Sequence, residues 1–384
     1  MQFKPTARTS VFTESVIREM TRLAQVHGAI NLAQGYPDFP APSFVKQAAI
    51  DAINGDINQY AITWGAFRLR QALSQKYERN YGFELDPDVH ITVTCGATEA
   101  MMAVMLAFVE PDDEVIVFEP FYENYIPDAA MSGAKIKYVT LGGPDFSFDP
   151  LELRAAFSRQ TKAIIINTPN NPSGKVFTYD ELATIANFCI EYDCLAITDE
   201  IYEHIVFDGR QHISIASFPE MLERTVIISG ISKTFSVTGW RIGYVVASEK
   251  VSAAVRKVHD YLTVGAPAPL QEAAAVAVEQ GDAYYPALAA MYQKKRDLLL
   301  TPLREMGFEC RTPEGAYYIM ADFKAHNFKG DDTDFAHHMI RNCGIAPVPG
   351  SSFYSNKHGN QFIRFTFSKS DDTLKEAANR LADL

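Results

Sequence analysis

Seven short apolar runs between about residues 90 and 250 limit most strongly what this chain can fold into. Helical patterns separate most of the runs, which are, in order, HITVT, EVIVFE, KIKYVTL, AIIINT, CLAIT, TVIIS and GYVVAS. Strands that are joined through helices run parallel, and a parallel sheet needs helices on both of its faces. The alternation therefore predicts an α/β fold with a mostly parallel, seven-stranded sheet between layers of helices.

The pattern changes after a helical stretch near residues 270 to 306. The segments FECRTP, AYYIMADF and FIRFTFS read as strands, with a helix around DTDFAHHMIRNCG and another at the C-terminus, and they predict a smaller α+β unit. We expect a large domain over residues 45–282 and a small domain in which residues 283–384 join the N-terminal segment 1–44. A helix predicted around residues 13 to 27 can pack on either domain.

Composition argues against several classes of protein. The formal net charge of -12 is spread along the chain, which disfavours nucleic acid and an anionic membrane as partners. No apolar stretch is long enough to span a bilayer, and the N-terminus lacks the apolar core of a signal peptide. Five cysteines without a C-x-x-C pair favour a reducing compartment over a disulfide framework or a zinc site. We therefore expect a cytoplasmic protein without a metal centre.

Small and polar residues follow the earlier strands, at the edge of the sheet where ligands of parallel α/β proteins collect. After HITVT, the residues Gly96, Ala97 and Thr98 open a helix whose free N–H groups suit a phosphate, although such turns are also common in packing. Tyr122, after EVIVFE, offers a flat surface, and Asn171, after AIIINT, offers an amide donor. Taken singly, such an aromatic residue is more often part of the core, and PNNPSG is merely a turn.

Charged residues follow the later strands. Asp199 comes directly after CLAIT, where a buried carboxylate needs a cation or donors, although an aspartate in this position is most often a helix N-cap. Lys233 follows TVIIS, and a lone lysine there most simply extends to solvent. The alternative is a nucleophilic amine held in a site, with Arg241 beyond it to hold an anion. The presence of such residues at the ends of five strands favours one common site.

Four segments of the chain, PNNPSG, DEIY, SKTFSVTGWRIGY and FIRFTFS, closely resemble those of the fold-type I, class I/II aminotransferases. The resemblance covers nearly the whole chain, in the same order and spacing. The opening INLAQGYPDFP is similar to that of the subgroup with methionine and kynurenine (glutamine-type) aminotransferases. The resemblance implies the fold of the pyridoxal-phosphate-dependent transferases, pyridoxal 5'-phosphate as cofactor, and ping-pong transfer of an amino group from an L-amino acid to a 2-oxo acid.

The resemblance also implies roles for residues that contact the cofactor ring. Lys233 would form an imine with the cofactor aldehyde and then move a proton from the substrate Cα, and Asp199 would pair with the pyridinium nitrogen. Asn171 and the Tyr202 hydroxyl would hydrogen-bond the phenolate oxygen, and Tyr122 would stack on the ring. The expected catalytic residues are Lys233, Asp199 and Tyr202.

A separate set is implied for the cofactor phosphate. Arg241 and the turn of residues 96–98 would hold it, with Ser229 and Ser232 as further contacts. Tyr60, in NQYAITWG, matches a tyrosine that crosses from the neighbouring subunit to the phosphate. The protein is therefore expected to be a homodimer.

The substrate end has its own expected residues. Arg364, inside FIRFTFS, needs an anion if it is buried, and its guanidinium suits bidentate binding of an amino acid carboxylate. Gly35 would let its backbone approach the same carboxylate, and Asn171 would also contact substrate. The entrance is expected to present uncharged aromatic side chains, unless these pack between domains: Tyr36, Phe39 and Trp64. We therefore expect neutral donors such as methionine, glutamine or aromatic amino acids, unless a distant cation such as Arg68 enters the pocket.

Two other functions stay open. A pyridoxal-dependent carbon–sulfur β-lyase uses nearly the same residues, because every such reaction begins with loss of the Cα proton, and its products would be pyruvate and ammonia. A pyridoxal-phosphate-binding regulatory domain would be joined to a DNA-binding module, and the segment before the first helix of the cofactor domain has no basic cluster for one.

Overall fold

The structure, a computed structural model, describes residues 4, 6, 9, 14–143 and 145–382. The strands in these residues are β1 (Ile30–Asn31), β2 (Ile91–Thr94), β3 (Glu114–Glu119), β4 (Lys135–Thr140), β5 (Thr161–Asn167), β6 (Leu195–Asp199), β7 (Thr225–Gly230), β8 (Gly243–Val246), β9 (Glu309–Cys310), β10 (Tyr318–Asp322), β11 (Ile345–Ala346), β12 (Val348–Pro349) and β13 (Phe362–Thr366). The helices are α1 (Val16–His27), α2 (Ser43–Asn54), α3 (Phe67–Tyr81), α4 (Ala97–Phe108), α5 (Tyr125–Ser132), α6 (Pro150–Ala156), α7 (Tyr179–Glu191), α8 (Glu249–Thr263), α9 (Ala268–Glu279), α10 (Gly281–Glu305), α11 (Asp332–Asn342) and α12 (Asp371–Leu381).

Seven strands form the large sheet, in the order β2-β8-β7-β6-β5-β3-β4. The strands from β7 across to β4 pair in parallel. The exception is β8, which pairs antiparallel with both β2 and β7. Each of the seven apolar runs forms one of these strands, so the predicted α/β fold with a mostly parallel, seven-stranded sheet is confirmed.

The inner strands of this sheet are buried on both faces because alternate side chains enter opposite helical layers. In β5, Ile164 and Ile166 belong to an apolar cluster that includes residues of α7, whereas Ile165 belongs to one that includes residues of α4. The strand β4 lies at the edge and exposes Lys135 and Lys137, and charged edge residues hinder pairing with a further strand.

The C-terminal part contains a four-stranded sheet in the order β12-β13-β10-β9. Its strands β9, β10 and β13 and its helix α11 lie where the sequence predicts them. A short parallel pair of β1 with β11, which the sequence did not predict, joins the N-terminal segment to this part. The helix α1 packs beside that pair, with Met20 and Ala24 in a cluster that includes Ala336 and Val348. The N-terminal helix thus lies against the C-terminal elements.

The division into a large domain over residues 45–282 and a small domain of residues 1–44 and 283–384 stays a prediction, and part of the segment 1–44 lies outside the described residues. Within the described residues, no helix is long and apolar enough to cross a membrane. The five cysteines, all within the described residues, form no disulfide bond, and Cys189 and Cys194 are buried.

Candidate active site

A cleft with a cavity volume of about 190 Å³, partly open to solvent, lies at the carboxyl ends of the parallel strands. Parallel strands end on the same edge of a sheet, so residues that follow different strands meet there. Most of the residues expected from the sequence line this cleft: Gly35, Ala97, Thr98, Tyr122, Asn171, Asp199, Tyr202, Ser232, Lys233, Arg241 and Arg364.

Lys233 lies in the turn that follows β7 and is partly buried in the cleft. Burial, reinforced by the positive charge of Arg241, lowers the pKa of the Lys233 amine to about 8. The carboxylate of Asp199 acts in the opposite direction but does not outweigh them. A fraction of the amine is therefore uncharged near neutral pH, which is the form that can attack a carbonyl or accept a proton.

Asp199 is the last residue of β6 and is buried at the bottom of the cleft. Its Oδ2 accepts a hydrogen bond from the Tyr125 hydroxyl at 2.7 Å, and its Oδ1 accepts one from the Ile201 N–H at 3.2 Å. Burial raises the pKa of Asp199, whereas these two hydrogen bonds act to lower it. The carboxylate is thereby fixed in orientation, which is what an interaction with a ring nitrogen requires.

Two aromatic hydroxyls meet on another wall of the cleft. The hydroxyl of Tyr202 lies 3.0 Å from that of Tyr318, and the two rings pack edge to face. Burial raises the pKa of the Tyr202 hydroxyl well above its ordinary value, so it stays protonated and can donate. Tyr122, which begins the segment before α5, packs edge to face on Tyr125 with 5.7 Å between ring centroids.

The turn between β2 and α4 forms a cradle of backbone N–H groups. Gly96 has a φ of 84°, and the first turn of α4 receives no side-chain hydrogen bond from this cap residue. A Cβ on Gly96 would overlap the guanidinium of Arg241, and a Cβ on Gly243 would overlap the backbone of Gly96. Only glycine therefore allows this close approach, and the N–H groups of Ala97 and Thr98 together with the Arg241 guanidinium suit a phosphate.

Arg364 is completely buried in β13. Its guanidinium lies between the rings of Tyr318 and Phe353, at 4.3 Å and 4.8 Å from their centroids. Its Nη1 donates to Asn171 Oδ1 at 2.9 Å and its Nη2 donates to the Ala33 carbonyl at 2.5 Å, whereas its Nε has no partner. No carboxylate of the described residues pairs with it. A buried cation of this kind is stabilised by an anion that enters the cleft.

The loop around Gly35 is held through its backbone carbonyls. The Tyr317 hydroxyl donates to the Gly35 carbonyl at 2.7 Å, and Lys369 Nζ donates to the Tyr36 carbonyl at 2.8 Å. A Cβ on Gly35 would overlap the Tyr318 hydroxyl. The position therefore requires glycine, and the reason visible in the structure is the contact with Tyr318.

Ser229 was expected to contact the phosphate, but the position of this residue in the structure contradicts that expectation. Its hydroxyl is fully buried and donates to Glu203 Oε1 at 2.9 Å, in a polar cluster outside the cleft. Lys76 Nζ donates to the same oxygen at 2.6 Å. Ser229 lies within β7, where a side chain points to one face of the sheet, whereas Ser232 lies beyond the strand end and reaches the cleft.

Two aromatic residues expected at the entrance, Tyr36 and Phe39, do not line the cleft in the single chain. Tyr36 is about 40% exposed, and the Lys369 amine lies 4.4 Å from its ring centroid. Phe39 is partly buried, with Lys295 Nζ at 4.8 Å from its centroid. A cation thus lies against each ring, and the expected place of these two uncharged side chains at the entrance stays a prediction.

Trp64 and Tyr60 also lie outside the cleft of their own chain. The Arg256 guanidinium lies 5.2 Å from the centroid of the Trp64 ring. Tyr60 is 87% exposed. Arg68, the distant cation that would have altered the substrate range, forms an ion pair with Glu279 at 2.8 Å.

Among the residues that line the cleft without having been singled out in the sequence are Tyr125, Asp128 and Tyr318. Tyr125 lies three residues after Tyr122, which is a spacing that can place two side chains on one side of a helical segment. Nothing local in the sequence marked Tyr318, which follows another tyrosine in an apolar strand. Asp128 was equally unmarked, because an aspartate in a helical pattern normally faces solvent.

The cleft thus combines an amine of lowered pKa, a fixed carboxylate, an anion cradle and a second, buried guanidinium. The amine can act as a nucleophile and as a proton carrier. Two of the cationic groups that line the cleft, Arg241 and Arg364, suit a ligand or pair of ligands with a phosphate at one end and a carboxylate at the other.

Comparison with known proteins gives matches over nearly the full chain. A family model described as aminotransferase class I and II matches residues 27–381. The methionine aminotransferase of Escherichia coli (strain K12) is 39% identical over 380 residues, which cover 99% of this chain and 97% of that protein. The kynurenine–oxoglutarate transaminase 1 of Homo sapiens is 36% identical over 396 residues, which cover 94% of each chain.

A solved structure shows the same fold. The N-succinyldiaminopimelate aminotransferase from Mycobacterium tuberculosis superimposes with a TM-score of 0.96 at 40% sequence identity, and the match covers 99% of each chain.

Proposed function

The chain belongs to the family of class I and II aminotransferases, and we propose that it moves the amino group of a neutral L-amino acid to a 2-oxo acid with pyridoxal 5'-phosphate as its cofactor. The observation that carries this proposal is the presence in one cleft of the Lys233 amine, the Asp199 carboxylate and the buried Arg364 guanidinium. Relatives named as aminotransferases favour transamination over the β-lyase and over a regulatory domain.

The residues of the cleft fit pyridoxal 5'-phosphate. The first turn of α4 and the Arg241 guanidinium, which is pressed against Gly96, would hold its phosphate. Asp199 would face its ring nitrogen, with Tyr122 against the ring. When bound, the cofactor supplies an electron sink for the charge left on the substrate Cα after proton loss.

Lys233 performs the proton transfer in this proposal. Its amine, with a pKa of about 8, takes the proton from the Cα of the bound amino acid and gives up a proton later in the same half-reaction. Asp199 keeps a negative charge at the bottom of the cleft, and the Tyr125 hydroxyl holds that carboxylate in place. The Tyr202 hydroxyl stays protonated and can donate to a group in the cleft. Asn171 can donate through its Nδ2 amide because its Oδ1 accepts from Arg364.

Arg364 binds the α-carboxylate of the amino acid. Its guanidinium is oriented by Asn171 and by the Ala33 carbonyl, and the Nε without a partner leaves donor capacity for a carboxylate oxygen. The backbone of Gly35, which lines the cleft, would contact the same carboxylate.

The substrate range is the finer part of the proposal. The turn of residues 95–100 contains no lysine that could bind the side-chain carboxylate of a dicarboxylic donor, and Arg68 is already paired with Glu279. Relatives named for methionine and kynurenine support neutral donors with a long or flat side chain, such as methionine, glutamine or an aromatic amino acid. Aspartate should be a poor donor.

We propose a homodimer in which Tyr60 reaches the phosphate of the neighbouring site. The loop of Tyr60 and the end of α8 lie side by side, since Gly265 packs on Thr63. They expose apolar side chains that a second copy would cover: Ile57, Tyr60, Ile62, Tyr261, Leu262 and Val264. A cytoplasmic location, expected from the cysteine pattern of the sequence, stays a prediction.

Reduction with borohydride followed by peptide mapping tests the cofactor assignment, and the cofactor should be found on Lys233. The variant Lys233→Ala should lose at least about 10²–10⁴-fold in transamination rate. Lys294→Ala, at an exposed position on α10, is the matched control and should retain activity. A label on any other lysine would contradict the assignment.

A panel of methionine, glutamine, phenylalanine and aspartate with one fixed oxo acid tests the substrate range through kcat/KM. A clear preference for aspartate would contradict the proposal. Pyruvate and ammonia as the main products would identify a lyase instead.

A further inference from the structure

His259, on α8, is fully buried between two hydrogen-bond acceptors from separate parts of the chain. Its Nδ1 lies 3.1 Å from both carboxylate oxygens of Glu99. Its Nε2 lies 2.8 Å from the backbone carbonyl oxygen of Thr63. The cleft chemistry described above uses neither His259 nor Glu99.

Both partners of the ring accept hydrogen bonds. A backbone carbonyl has no proton to donate, and Glu99 already accepts from the Cys95 N–H at 3.0 Å through Oε2. The Thr263 hydroxyl is the other neighbour of Nδ1, at 3.3 Å, which is longer than the distances to the carboxylate. A neutral imidazole donates through one nitrogen only, so both contacts are satisfied together only when His259 is an imidazolium.

The two partners belong to functionally distinct segments. Glu99 lies in the first turn of α4, directly after Thr98 of the phosphate cradle. Thr63 lies in the loop between α2 and α3 that carries Tyr60 and Trp64. On one side of Thr63 the loop is anchored by the hydrogen bond from the Val93 N–H to the Trp64 carbonyl, at 3.0 Å. On the other side the loop runs out to the exposed Tyr60.

We propose that His259 is a positioning residue that, as an imidazolium, ties the loop carrying Tyr60 to the first turn of α4. Through this tie it sets where Tyr60 stands relative to the cofactor phosphate of the partner subunit. This second step rests on the proposed function, whereas the tie itself does not.

The charged and titratable groups around the ring give the tie a pH dependence. They are Glu99 from α4, Asp260 from α8 and the Cys95 thiol before α4. Burial acts to lower the pKa of His259, but the hydrogen bond and charge of Glu99 outweigh it, so the pKa is raised above its ordinary value of 6.5. The tie is therefore complete below pH 6.5 and is lost as the pH rises through the raised pKa.

Trp64 provides a direct readout, because it follows Thr63 and the chain has only one other tryptophan. In full-length protein with Trp240→Phe, the emission of Trp64 is recorded from pH 6 to 10 without pyridoxal 5'-phosphate. We expect one transition above pH 6.5 in this parent and none in its His259→Gln derivative. Glu99→Gln should move the midpoint down by about one to two pH units, since a nearby opposite charge raises a histidine pKa by about that amount. His358→Gln, at an exposed site, is the matched control and should keep the parent transition.

Three results would each overturn the tie. They are the absence of a transition in the parent, a transition that persists in His259→Gln, and a midpoint that does not move in Glu99→Gln. These readings need neither cofactor nor substrate, so failure of the proposed function cannot imitate them.

A double-mutant cycle tests the second step. At pH 6.5, where the tie is present, His259→Gln should weaken pyridoxal 5'-phosphate binding about tenfold, which is the scale of one hydrogen bond to a charged group. In a Tyr60→Phe background, His259→Gln should weaken cofactor binding little further, because the Tyr60 hydroxyl through which His259 acts has already been removed. Equal effects in both backgrounds would show that His259 does not act through Tyr60 and would overturn the second step.

Discussion

Replacing Asp128 by asparagine should stabilise this protein, and increasingly so as the pH rises. Asp128 lies on α5 and borders the cleft, but it is only 2% exposed. Its Oδ2 receives no hydrogen bond from the described residues. Burial without a compensating partner raises its pKa from 3.8 to about 8. The folded protein therefore holds a proton on Asp128 at pH 7 that the unfolded chain has released.

The size of the effect follows from proton linkage. Between pH 3.8 and 8 the folded state binds one more proton at this site than the unfolded state, so the free energy of unfolding falls as the pH rises. Each pH unit costs about 1.4 kcal/mol, and the roughly three units between 3.8 and 7 amount to about 4 kcal/mol. Asparagine has nearly the same shape and is neutral at every pH, so it removes this penalty and keeps the packing.

The assay is urea unfolding of the wild type and Asp128→Asn at pH 5, 6, 7 and 8, at equal cofactor loading. The difference in the free energy of unfolding should grow by about 1.4 kcal/mol per pH unit in favour of the variant. Asp51→Asn, on the exposed side of α2, is the matched control and should stay within about 0.5 kcal/mol of the wild type at each pH.

A difference that does not depend on pH would refute the reasoning, because it would mean that Asp128 has the same protonation in the folded and unfolded states. A variant that is less stable than the wild type at pH 8 would mean that the carboxylate is ionised and paired in the folded protein.

Four further outcomes are expected. Tyr125→Phe removes the hydroxyl that donates to Asp199, which should reduce the rate of Cα deprotonation about tenfold in single-turnover absorbance measurements, and an unchanged rate would exclude a positioning role. Arg364→Lys should raise the KM of amino donors about tenfold or more with a smaller effect on kcat, since an ammonium cannot make the two-pronged contact, and an unchanged KM would place the carboxylate elsewhere. Cofactor uptake by protein freed of it should speed up with rising pH and level off above about pH 8, because the uncharged Lys233 amine is the reactive form, and a flat profile would contradict the lowered pKa. Tyr261→Asp, at a side chain that is 92% exposed, should shift sedimentation toward the monomer, and an unchanged dimer would mean that another surface pairs the subunits.

The sequence predicted the large sheet and much of the cleft because both depend on local pattern and on a general rule of topology. Apolar runs mark buried strands, and residues just beyond the ends of parallel strands meet at one edge. Asp199 is the last residue of one strand, Lys233 and Asn171 follow two others, and all three line the cleft. No knowledge of long-range packing was needed to group them.

Ser229 shows where this rule fails. It lies only one residue before the end of β7, yet within a strand each side chain is committed to one face of the sheet. Its hydroxyl therefore meets Glu203 in a buried cluster and does not enter the cleft. A local sequence pattern cannot separate these two outcomes, since an error of one residue in the strand boundary reverses the answer.

The aromatic residues near the entrance show a second limit of prediction from the sequence. Trp64 lies against Arg256, Tyr36 against Lys369. Each cation comes from a part of the chain far from its aromatic partner, and only the tertiary fold brings them together. The burial of Asp128 and His259 could not be predicted for the same reason. Burial of a polar side chain is decided by neighbours that the local sequence pattern does not contain.

The carbonyl contacts of the loop at residues 33–36 have an evolutionary consequence. Arg364, Tyr317 and Lys369 hold this loop by donating to the carbonyl oxygens of Ala33, Gly35 and Tyr36, and every amino acid possesses such an oxygen. The side chains of Gln34 and Tyr36, which are not buried, can therefore change without loss of these backbone anchors. Duplicated descendants of this gene can acquire new substrate preferences there by single substitutions, while the reacting groups at the strand ends are inherited intact.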